Sequence, residues 1–474
     1  MLLMTYVKYI EMKKMKNNLA SSFRDPSGFL FVHNEELYRQ INTNYKKNFE
    51  YLINSGLYEN LTKNNLLIKH EEIDLDIEKS EDFYKYIKPE KIPFISYPYE
   101  WSFSAYKQAA LLTLKIQKTA LSCDMTLKDA SAYNIQFIGY KPIFIDTLSF
   151  ENYKENAPWI AYRQFCEHFL APLLIMTYKD QRLINLLISN INGLPLDLVV
   201  KILPLKTFLN FSIFTHIYLN SLSKNIPNKN ISAKETRLKL SKKQLISIII
   251  DLENLIQNLK PKVCNTIWGN YYENTNYNPE AFNHKKQIVN EFINIINPQT
   301  FIDLGANTGQ FSRSASNVKA YTISIDMDSL AIEKNCQKAL EDKDENILPL
   351  IIDFANPSPS IGWKCKEREN IFDRLGSNQN VMALALIHHL RISNNISINN
   401  LAEFFSALSK YLIIEFIPKS DSMVEKLLQN RDDVFSDYTK ENFENEFCKY
   451  FEIEKYYKIE NSERFIYLMK KKNF

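Results

Sequence analysis

The stretch FIDLGANTGQFSR, residues 301–313, decides the fold of the second half of this chain. A hydrophobic run breaks there at Asp303, and Gly305 and Gly309 follow four residues apart in a protein with only 9 glycines among 474 residues. Glycine tolerates a left-handed turn and lets the backbone approach a ligand closely. The stretch therefore predicts a strand, a tight turn beside a ligand and a helix that begins near Gly309.

Further hydrophobic runs separated by helical patterns lie around this stretch. The runs are QTFIDLG (299–305), AYTISID (320–326), NILPLIIDFA (346–355), NVMALALI (380–387) and YLIIEFI (411–417), and SLAIEKNCQKALED (329–342) has helical spacing. They lack polar alternation, as strands covered by helices on both faces do. They predict a doubly wound, Rossmann-like parallel α/β sheet. The tail FEIEKYYKIENSERFIYLMKKK (451–472) predicts an antiparallel edge pair.

The length and the charge of the chain narrow the classes of protein it can belong to. With 474 residues the chain is too long for one ordinary core, so two or more domains are expected. Its 58 basic and 55 acidic residues give a net charge of +3. Such a balance gives no overall attraction to nucleic acid or to a membrane surface, and neither is predicted as a partner.

The cysteines and the apolar runs indicate an intracellular, soluble protein. No two of the six cysteines form a CxxC pair, so neither a zinc site nor a disulfide framework is predicted, and no metal site is expected. The longest apolar runs, such as FLAPLLIM (169–176), are far shorter than a membrane span. The first residues show no signal-peptide pattern. A cytoplasmic location is the expectation, and the sequence leaves the oligomeric state open.

A polar, basic segment divides the chain. Residues 223–243, SKNIPNKNISAKETRLKLSKK, contain few large apolar side chains, as a linker does. The segment QLISIIIDLENLIQNL (244–259) has apolar residues at helical spacing and is predicted to lead into the second domain. The resulting division is an N-terminal domain at 1–222, a linker and connecting helix at 223–260, and a C-terminal domain at 261–474.

Residues 301–353 resemble the cofactor half of a class I S-adenosylmethionine-dependent methyltransferase. In that family the first strand ends in an acid and a glycine-rich turn that face the methionine part of the cofactor. The resemblance implies that S-adenosyl-L-methionine is the cofactor and that its methionine part is held by Asp303, Gly305, Ala306, Asn307 and Gly309.

The ends of the next two strands carry the rest of the resemblance. Asp326 ends the second strand 21 residues after Gly305, close to the offset of roughly 20 residues that a βαβ unit requires. The resemblance implies that Asp326 holds the ribose hydroxyls and that Met327 touches the adenine. Asp353 and Phe354, at the end of the third strand, match the acceptor of the adenine amino group and its stacking neighbour. A nucleotide-type fold whose pocket has decayed is the plain alternative.

Two histidines follow the fourth strand in ALIHHLRI (385–392). A neutral imidazole can take the proton that a hydroxyl or amine acceptor loses, so His388 or His389 is the predicted catalytic base. Alternatively, one of the two faces the core or caps the next helix. Glu415, near the end of the fifth strand, either touches the acceptor or caps a helix. Lys285 and the aromatic stretch 268–277 precede the first strand, and they either cover the cofactor or form a surface helix start.

The first half contains a second pattern. Asp129 and Asn134 are spaced D-x4-N, and Asp146 follows twelve residues later at the end of KPIFID (141–146). The pattern resembles kinase-like phosphotransferases of the aminoglycoside and choline kinase type, in which these residues would be the base and two magnesium ligands. The usual glycine-rich loop and strand lysine are missing, and Arg39 would be an awkward substitute for that lysine. The N-terminal region is therefore predicted to be an α+β kinase-like domain of degenerate type.

The order of these parts resembles the nodulation-protein NoeA-like methyltransferases. The stretches that carry this resemblance are 129–153, 158–174, 303–313, 353–363 and 383–390. The prediction is an enzyme that moves a methyl group from S-adenosylmethionine to an oxygen or nitrogen of a small-molecule or carrier-bound acceptor. The alternative is a kinase-like phosphotransferase or nucleotide-binding module with a sensory cofactor-binding domain.

Overall fold

The computed structural model of the protein describes residues 17–222, 239–262, 266, 279–429 and 432–473. In these ranges the chain forms a five-stranded sheet, a seven-stranded sheet and two two-stranded ribbons. Most of the predicted linker and the aromatic stretch 268–277 lie outside the described residues. None of the described helices is long and apolar enough to cross a lipid bilayer.

The first sheet is antiparallel and has the strand order β1-β2-β3-β5-β4. Its strands are β1 Asn17–Asn18, β2 Gly28–His33, β3 Glu36–Asn42, β4 His70–Ile73 and β5 Phe83–Pro89. Asn34 and Glu35 both have left-handed φ angles, 49° and 66°, which close β2 and β3 into a tight hairpin. The helices Lys46–Asn54 and Leu57–Lys63 follow β3, and the first buries Phe49 against Ile41 and Ile87 of the sheet.

A helical region with two short ribbons completes the first half. The ribbons pair β6 Met125–Leu127 with β9 Phe150–Asn152, and β7 Ile135–Ile138 with β8 Lys141–Phe144. The central helix Phe103–Ser122 begins at Ser102, whose hydroxyl accepts a hydrogen bond from the Ala105 N–H. The longer of the other helical segments of the region are Tyr162–Phe165, Cys166–Leu170, Ala171–Tyr178, Gln181–Asn185, Leu186–Ser189, Leu196–Ile202, Leu205–Leu209 and Phe214–Leu219, and Phe211–Ile213 and Asn220–Leu222 flank the last of them.

The helix predicted at 244–259 is present as Lys242–Asn258. Ser241 and Gln244 form a capping box at its start. Its apolar face packs on the central helix Phe103–Ser122, and Lys118 and Glu253 form an ion pair of 2.6 Å between the two helices. By its packing this helix is part of the first half, although the sequence suggested that it leads into the second.

The second sheet carries the predicted fold, and the α/β class is confirmed. Its strands are β10 Thr300–Leu304, β11 Tyr321–Asp326, β12 Ile347–Ile351, β13 Gln379–Ala383, β14 Ser409–Phe416, β15 Phe451–Lys458 and β16 Phe465–Lys471. The order is β12-β11-β10-β13-β14-β16-β15, with β10 to β14 parallel and β15 and β16 forming the antiparallel edge pair. The strand order reverses between β10 and β13, and in such sheets ligands bind outside the carboxyl ends at this point.

Helices cover both faces of this sheet. Successive residues of β10 alternate between the two sides: Phe301 joins the cluster around helix Pro279–Ile296, and Ile302 joins the core on the opposite face. The other helices are Ser312–Asn317, Ser329–Asp342, Ile371–Leu375, Ile398–Leu408, Ser422–Leu428 and Lys440–Phe447, with short helical segments at Trp363–Cys365 and His389–Ser393. The first of them begins at Ser312, three residues later than the predicted start, because the chain uses 305–311 for a turn.

The two halves are joined by polar contacts that differ in burial. Arg374 donates to both carboxylate oxygens of Glu100, and both side chains are almost completely buried. Lys141 and Glu345 also connect the halves, but their side chains are about half exposed. Loss of one partner from the Arg374–Glu100 pair is therefore expected to destabilise the protein far more than loss of one partner from the Lys141–Glu345 pair.

We predict that Glu100→Gln lowers the free energy of unfolding by roughly 3–5 kcal/mol, because it leaves the buried Arg374 guanidinium without its counter-charge. Chemical denaturation followed by circular dichroism measures the effect. Glu345→Gln is the matched control across the same interface and should change stability by less than about 1 kcal/mol. Equal effects of the two substitutions would contradict the conclusion that the buried pair matters more for stability than the exposed pair.

Candidate functional site

The turn after β10 is fixed to the neighbouring strand. The N–H groups of Gly305 and Ala306 both donate to the carbonyl oxygen of Ile325, each at 2.9 Å. Gly305 has a φ of 77°, and Asn307, two residues later, is also left-handed with a φ of 50°. A β-carbon at Gly305 would lie 3.3 Å from the Leu386 side chain and would also be strained by the φ angle. The residues predicted to face the methionine part of the cofactor thus form one compact turn at the carboxyl edge.

A buried polar network supports this turn from below. Ser312 donates to Asp303 at 2.6 Å and lies 2.8 Å from the hydroxyl of Ser324, to which Asn335 donates at 2.8 Å. A β-carbon at Gly309, whose φ is 73°, would lie within 2.2 Å of the Asn335 side chain. Gly309 is therefore required by both its backbone angle and the network beside it.

Asp326 lies at the end of the neighbouring strand β11. One of its carboxylate oxygens accepts the N–H of Asn307 and the other accepts the N–H of Asp328, both at 2.8 Å. Each oxygen of a carboxylate can accept more than one hydrogen bond, so both retain capacity for a hydroxyl. Two such oxygens at a strand end suit a pair of vicinal ribose hydroxyls. Met327, the next residue, is exposed at the rim of the site.

Asp353 and Phe354 follow the third strand at the same edge. The N–H of Ile352 donates to the carbonyl of Asp326 at 2.9 Å, so the ends of β11 and β12 are directly connected. Asp353 accepts the N–H of Ala355 at 2.8 Å. Phe354 packs against Phe372 and Phe404 in an aromatic cluster, with ring centroids 6.2 and 6.3 Å away. The structure thus brings the turn, Asp326 and Asp353 to one edge, where the sequence predicted them.

Burial changes the acidity of the two carboxyl groups nearest the turn. It raises the pKa of Asp303 to about 7, against the opposing effect of the Ser312 hydrogen bond. Burial also raises the pKa of Asp326 to about 6, although the backbone N–H groups that it accepts partly offset the change. A cation placed beside these groups would favour their ionised forms. The pair is therefore suited to a positively charged ligand.

The segment after β13, called the histidine loop below, carries the two predicted catalytic histidines; His388 is at the N-cap position of the short helix His389–Ser393, without a side-chain capping hydrogen bond. The histidine loop begins at Ala385, which has a left-handed φ of 49° and whose N–H donates to Glu415 at 2.8 Å. His388 is buried, and its Nδ1 has no hydrogen-bond partner. The ring of His389 lies 4.0 Å from that of His388, between centroids. An unsatisfied buried nitrogen is uncommon and is expected where a ligand completes the site.

Both imidazoles are neutral at physiological pH. Burial lowers the pKa of His389 to about 4. Burial, together with the charges of His389, Arg464 and Lys285, lowers the pKa of His388 well below its usual value. A neutral ring has a lone pair for accepting a proton, but a low pKa makes it a weak base.

An ion-pair network that the sequence did not reveal lies beside the histidine loop. Lys285, on helix Pro279–Ile296, donates to Glu415 at 2.7 Å, and both side chains are buried. Arg464 lies 3.8 Å from Glu415 and donates to Asp421 at 2.7 and 3.0 Å. Burial lowers the pKa of Lys285. Glu415 therefore holds Ala385 and Lys285 in place. The sequence left open whether Glu415 touches the acceptor or caps a helix, and these contacts show a supporting role.

A cleft of about 650 Å³ opens next to this network. It is lined by Ala281 of helix Pro279–Ile296, by residues 420–422 after β14 and by the β15–β16 turn, including Lys458 and Arg464. The cleft lies beyond the carboxyl end of β14, and its lining includes neither histidine and none of the predicted cofactor residues. Its volume is in the range of small-molecule sites. The local sequence gives no signal for it, because its walls come from three distant segments.

The second pattern, in the first half, is also brought together. Asp129 accepts hydrogen bonds from the Ser131 N–H at 2.9 Å and from Gln164 at 2.8 Å. Burial, and then the negative charge of Asp146, raises the pKa of Asp129. Asn134 donates to Ser149 at 3.2 Å, and Ser149 donates in turn to Asp146. These three predicted residues therefore face one another.

An arginine occupies the charged side of this cluster. Arg39, on β3, is buried. One terminal nitrogen of its guanidinium lies 2.6 Å from a carboxylate oxygen of Asp146, and the other lies 2.6 Å from a carboxylate oxygen of Asp25. The guanidinium thus neutralises the carboxylate that the kinase-like pattern assigns to magnesium. Among the described residues no group of three or more His, Cys, Asp or Glu side chains is placed to hold a metal ion.

The fold and the site together define a class I S-adenosylmethionine-dependent methyltransferase. Nodulation protein NoeA of Rhizobium meliloti (strain 1021) is 32% identical to the chain over 456 residues, which are 95% of this chain and 95% of that protein. The chain belongs to the NoeA family. No protein-family model matches it.

Solved structures give more distant likenesses. Magnesium protoporphyrin IX methyltransferase ChlM from Synechocystis PCC 6803 with bound SAH is 15% identical, with a TM-score of 0.32, and the match covers 42% of this chain and 90% of that one. The bifunctional kinase-methyltransferase WbdD is 18% identical, with a TM-score of 0.29, covering 46% and 45%. N-methyltransferase NodS from Bradyrhizobium japonicum WM9 is 8% identical, with a TM-score of 0.31, covering 41% and 99%. At these TM-scores no property of the three proteins transfers to this chain.

We predict that the contribution of Asp303 to stability falls as the pH rises from about 4 to about 7, because in this range folded Asp303, with its pKa near 7, holds a proton that the unfolded chain releases. The buried histidines act in the opposite direction, so the contribution is read from the difference between the wild-type and Asp303→Asn profiles, which should stop changing above about pH 7. Asp303→Asn should remove roughly 2–4 kcal/mol of this pH dependence. Urea denaturation at several pH values measures it, and Glu341→Gln, an exposed position, is the control. An Asp303→Asn profile that parallels the wild-type profile would refute the assignment.

Proposed function

We propose that the protein transfers a methyl group from S-adenosyl-L-methionine to an oxygen or nitrogen of a small-molecule or carrier-bound acceptor. The observation that carries the proposal is the left-handed turn at 305–309 with Asp303, Asp326 and Asp353 at the ends of three neighbouring parallel strands. Such an edge offers backbone close to a ligand and carboxylates for hydroxyl and amino groups. The bound cofactor supplies a methyl group on a sulfonium.

Each predicted residue has a role in holding the cofactor. Asp303, with Gly305, Ala306, Asn307 and Gly309 of the turn, would hold the methionine part and its ammonium group. Asp326 would accept the ribose hydroxyls with the two oxygens already oriented by backbone N–H groups. Met327, Asp353 and Phe354 would contact the adenine at the outer end of the site.

On the acceptor side, the histidine loop is the feature that supports the proposal. The cleft beyond β14 has the volume of a small-molecule site, but neither histidine lines it, so we do not assign it to the acceptor. His388 would accept the acceptor's proton with its unpartnered Nδ1, or His389 would do so beside it. Because both rings are weak bases, we infer that holding the acceptor in line with the methyl group contributes more to the rate than proton removal.

The first half is best explained as a degenerate kinase-like module. Asp129, Asn134 and Asp146 face one another, as the resemblance implies, but Arg39 is paired with Asp146 and Gln164 with Asp129. A phosphotransferase with a sensory methyl-donor domain would need a magnesium ion where the guanidinium lies. The position of Arg39 therefore favours the methyltransferase over this alternative.

We predict that Asp326→Ala weakens binding of S-adenosylmethionine about 100-fold or more, because two hydrogen bonds to a charged group are lost at roughly 1.5–3 kcal/mol each. Isothermal titration calorimetry on the full chain measures the affinity. Glu341→Gln changes an exposed carboxylate of the helix after β11 and should bind like the wild type. If Asp326→Ala bound the cofactor with wild-type affinity, the proposed position of the ribose at the end of β11 would be wrong.

We predict that the wild-type protein transfers labelled methyl from S-adenosylmethionine to material in a lysate of its source cells, and that Asp326→Ala loses this transfer. His388→Gln should lower the rate by about 10²-fold if this ring removes a proton, with cofactor affinity within about threefold of the wild type. Counting of radiolabel after separation by size distinguishes small from carrier-bound acceptors. Equal labelling by wild type and Asp326→Ala would contradict the proposed activity.

A further inference from the structure

The most exposed large apolar side chains of the described residues lie together in the first half. Leu205, Leu209 and Phe211 are 91%, 87% and 81% exposed. No other large apolar side chain among the described residues has so large an exposed fraction. Phe208, Leu219 and Leu222 are exposed nearby. We call residues 205–222 the apolar knob. Apolar groups scattered singly on a surface need no explanation, but a cluster of this kind marks an interaction site.

The apolar knob is a folded part of the protein. Its base is held by Ile213 and Ile217, which are buried in the main core. The hydroxyl of Thr207 lies 2.7 Å from the carbonyl of Pro204 and 2.8 Å from the hydroxyl of Tyr218, which ties the two sides together. The ring of Phe208 packs against that of Tyr218 at 5.2 Å between centroids. The exposed side chains are therefore presented to the outside by a supported turn.

Two lysines lie beside the tip of the apolar knob. The sequence contains no Asp or Glu from residue 198 to residue 222, and Lys201 and Lys206 are exposed beside the apolar tip. The acid that packs against the knob is Asp251, which accepts hydrogen bonds from Ser212 and lies 2.8 Å from the Nε2 of His216. In the printed sequence the next acid after Asp197 is Glu235. The knob is thus apolar at its tip and positive at its flank.

We infer that the apolar knob docks on the surface of an anionic phospholipid bilayer. Leucine and phenylalanine side chains at a protruding tip enter the boundary between headgroups and acyl chains, and lysines beside them pair with anionic headgroups. A bilayer accepts such a tip without a complementary pocket. Negative charge on the partner complements Lys201 and Lys206, whereas Asp251 is hydrogen-bonded to Ser212 and His216.

This inference goes beyond the proposed methyl transfer and does not depend on it. The whole-chain charge of +3 predicted no membrane partner, because that sum averages over 58 basic and 55 acidic residues. Attraction to a charged surface depends on the local charge within about a Debye length, roughly 8–10 Å, and not on the sum. Docking of this kind also needs no helix that spans the bilayer.

Sedimentation with vesicles tests the inference on the full chain. Wild-type protein should sediment with vesicles of phosphatidylcholine and phosphatidylglycerol, and much less with phosphatidylcholine alone or at high salt. The double variant Leu209→Ser/Phe211→Ser and the double variant Lys201→Gln/Lys206→Gln should each weaken binding about tenfold or more. Val434→Ser is the matched control, since Val434 is a large apolar residue that is also mostly exposed but lies in the second half. Because all these side chains are exposed, thermal unfolding should be unchanged.

Three results would overturn the inference. The first is the absence of wild-type binding to the anionic vesicles. The second is equal binding by the wild type and the Leu209→Ser/Phe211→Ser variant. The third is a wild-type dimer in sedimentation velocity that this variant converts to a monomer, which would assign the apolar knob to a second copy of the chain.

Discussion

The site depends on one backbone arrangement, in which the Ile325 carbonyl accepts the N–H groups of both Gly305 and Ala306. Two donors on one oxygen fix the end of β10 against the end of β11 and force the chain to turn away with left-handed angles. Only then can the Asn307 N–H reach Asp326. The relative position of the turn and Asp326 is therefore set by these hydrogen bonds together with the buried network of Ser312, Ser324 and Asn335.

The charges around this edge are arranged to accept a cation. Lys285 is neutralised by Glu415, and Arg464 lies between Glu415 and Asp421, so the two nearby cations are paired with carboxylates. The histidines add no positive charge at neutral pH, because burial lowers the pKa of His389 to about 4 and that of His388 well below its ordinary value. Burial raises the pKa values of Asp303 and Asp326, which means that ionising either group is costly. A bound cation would lower this cost, because it favours the charged forms.

The sequence predicted the strand ends well because each is a local signal: a hydrophobic run, an acid and a small-residue turn within a few positions. It could not predict the partners of Glu415, because Lys285 lies 130 residues earlier in the chain and Arg464 lies in the turn between β15 and β16. It also placed the helix Lys242–Asn258 by its proximity to the linker, whereas its apolar face determined where it packs. The apolar knob escaped notice because a short amphipathic turn has no periodicity that separates a buried from an exposed face.

The first half contacts the segment that follows β12 in the second half. The chain that leaves Asp353 runs to Arg374, which is held by Glu100 of the first half. Between them, Arg368 lies over the ring of Tyr133 at 4.4 Å from its centroid, one residue before Asn134. The segment that follows β12 is thus fixed at two points by the first half. These contacts involve neither Asp129 nor Asp146, so they hold the segment independently of any ligand that the first half binds.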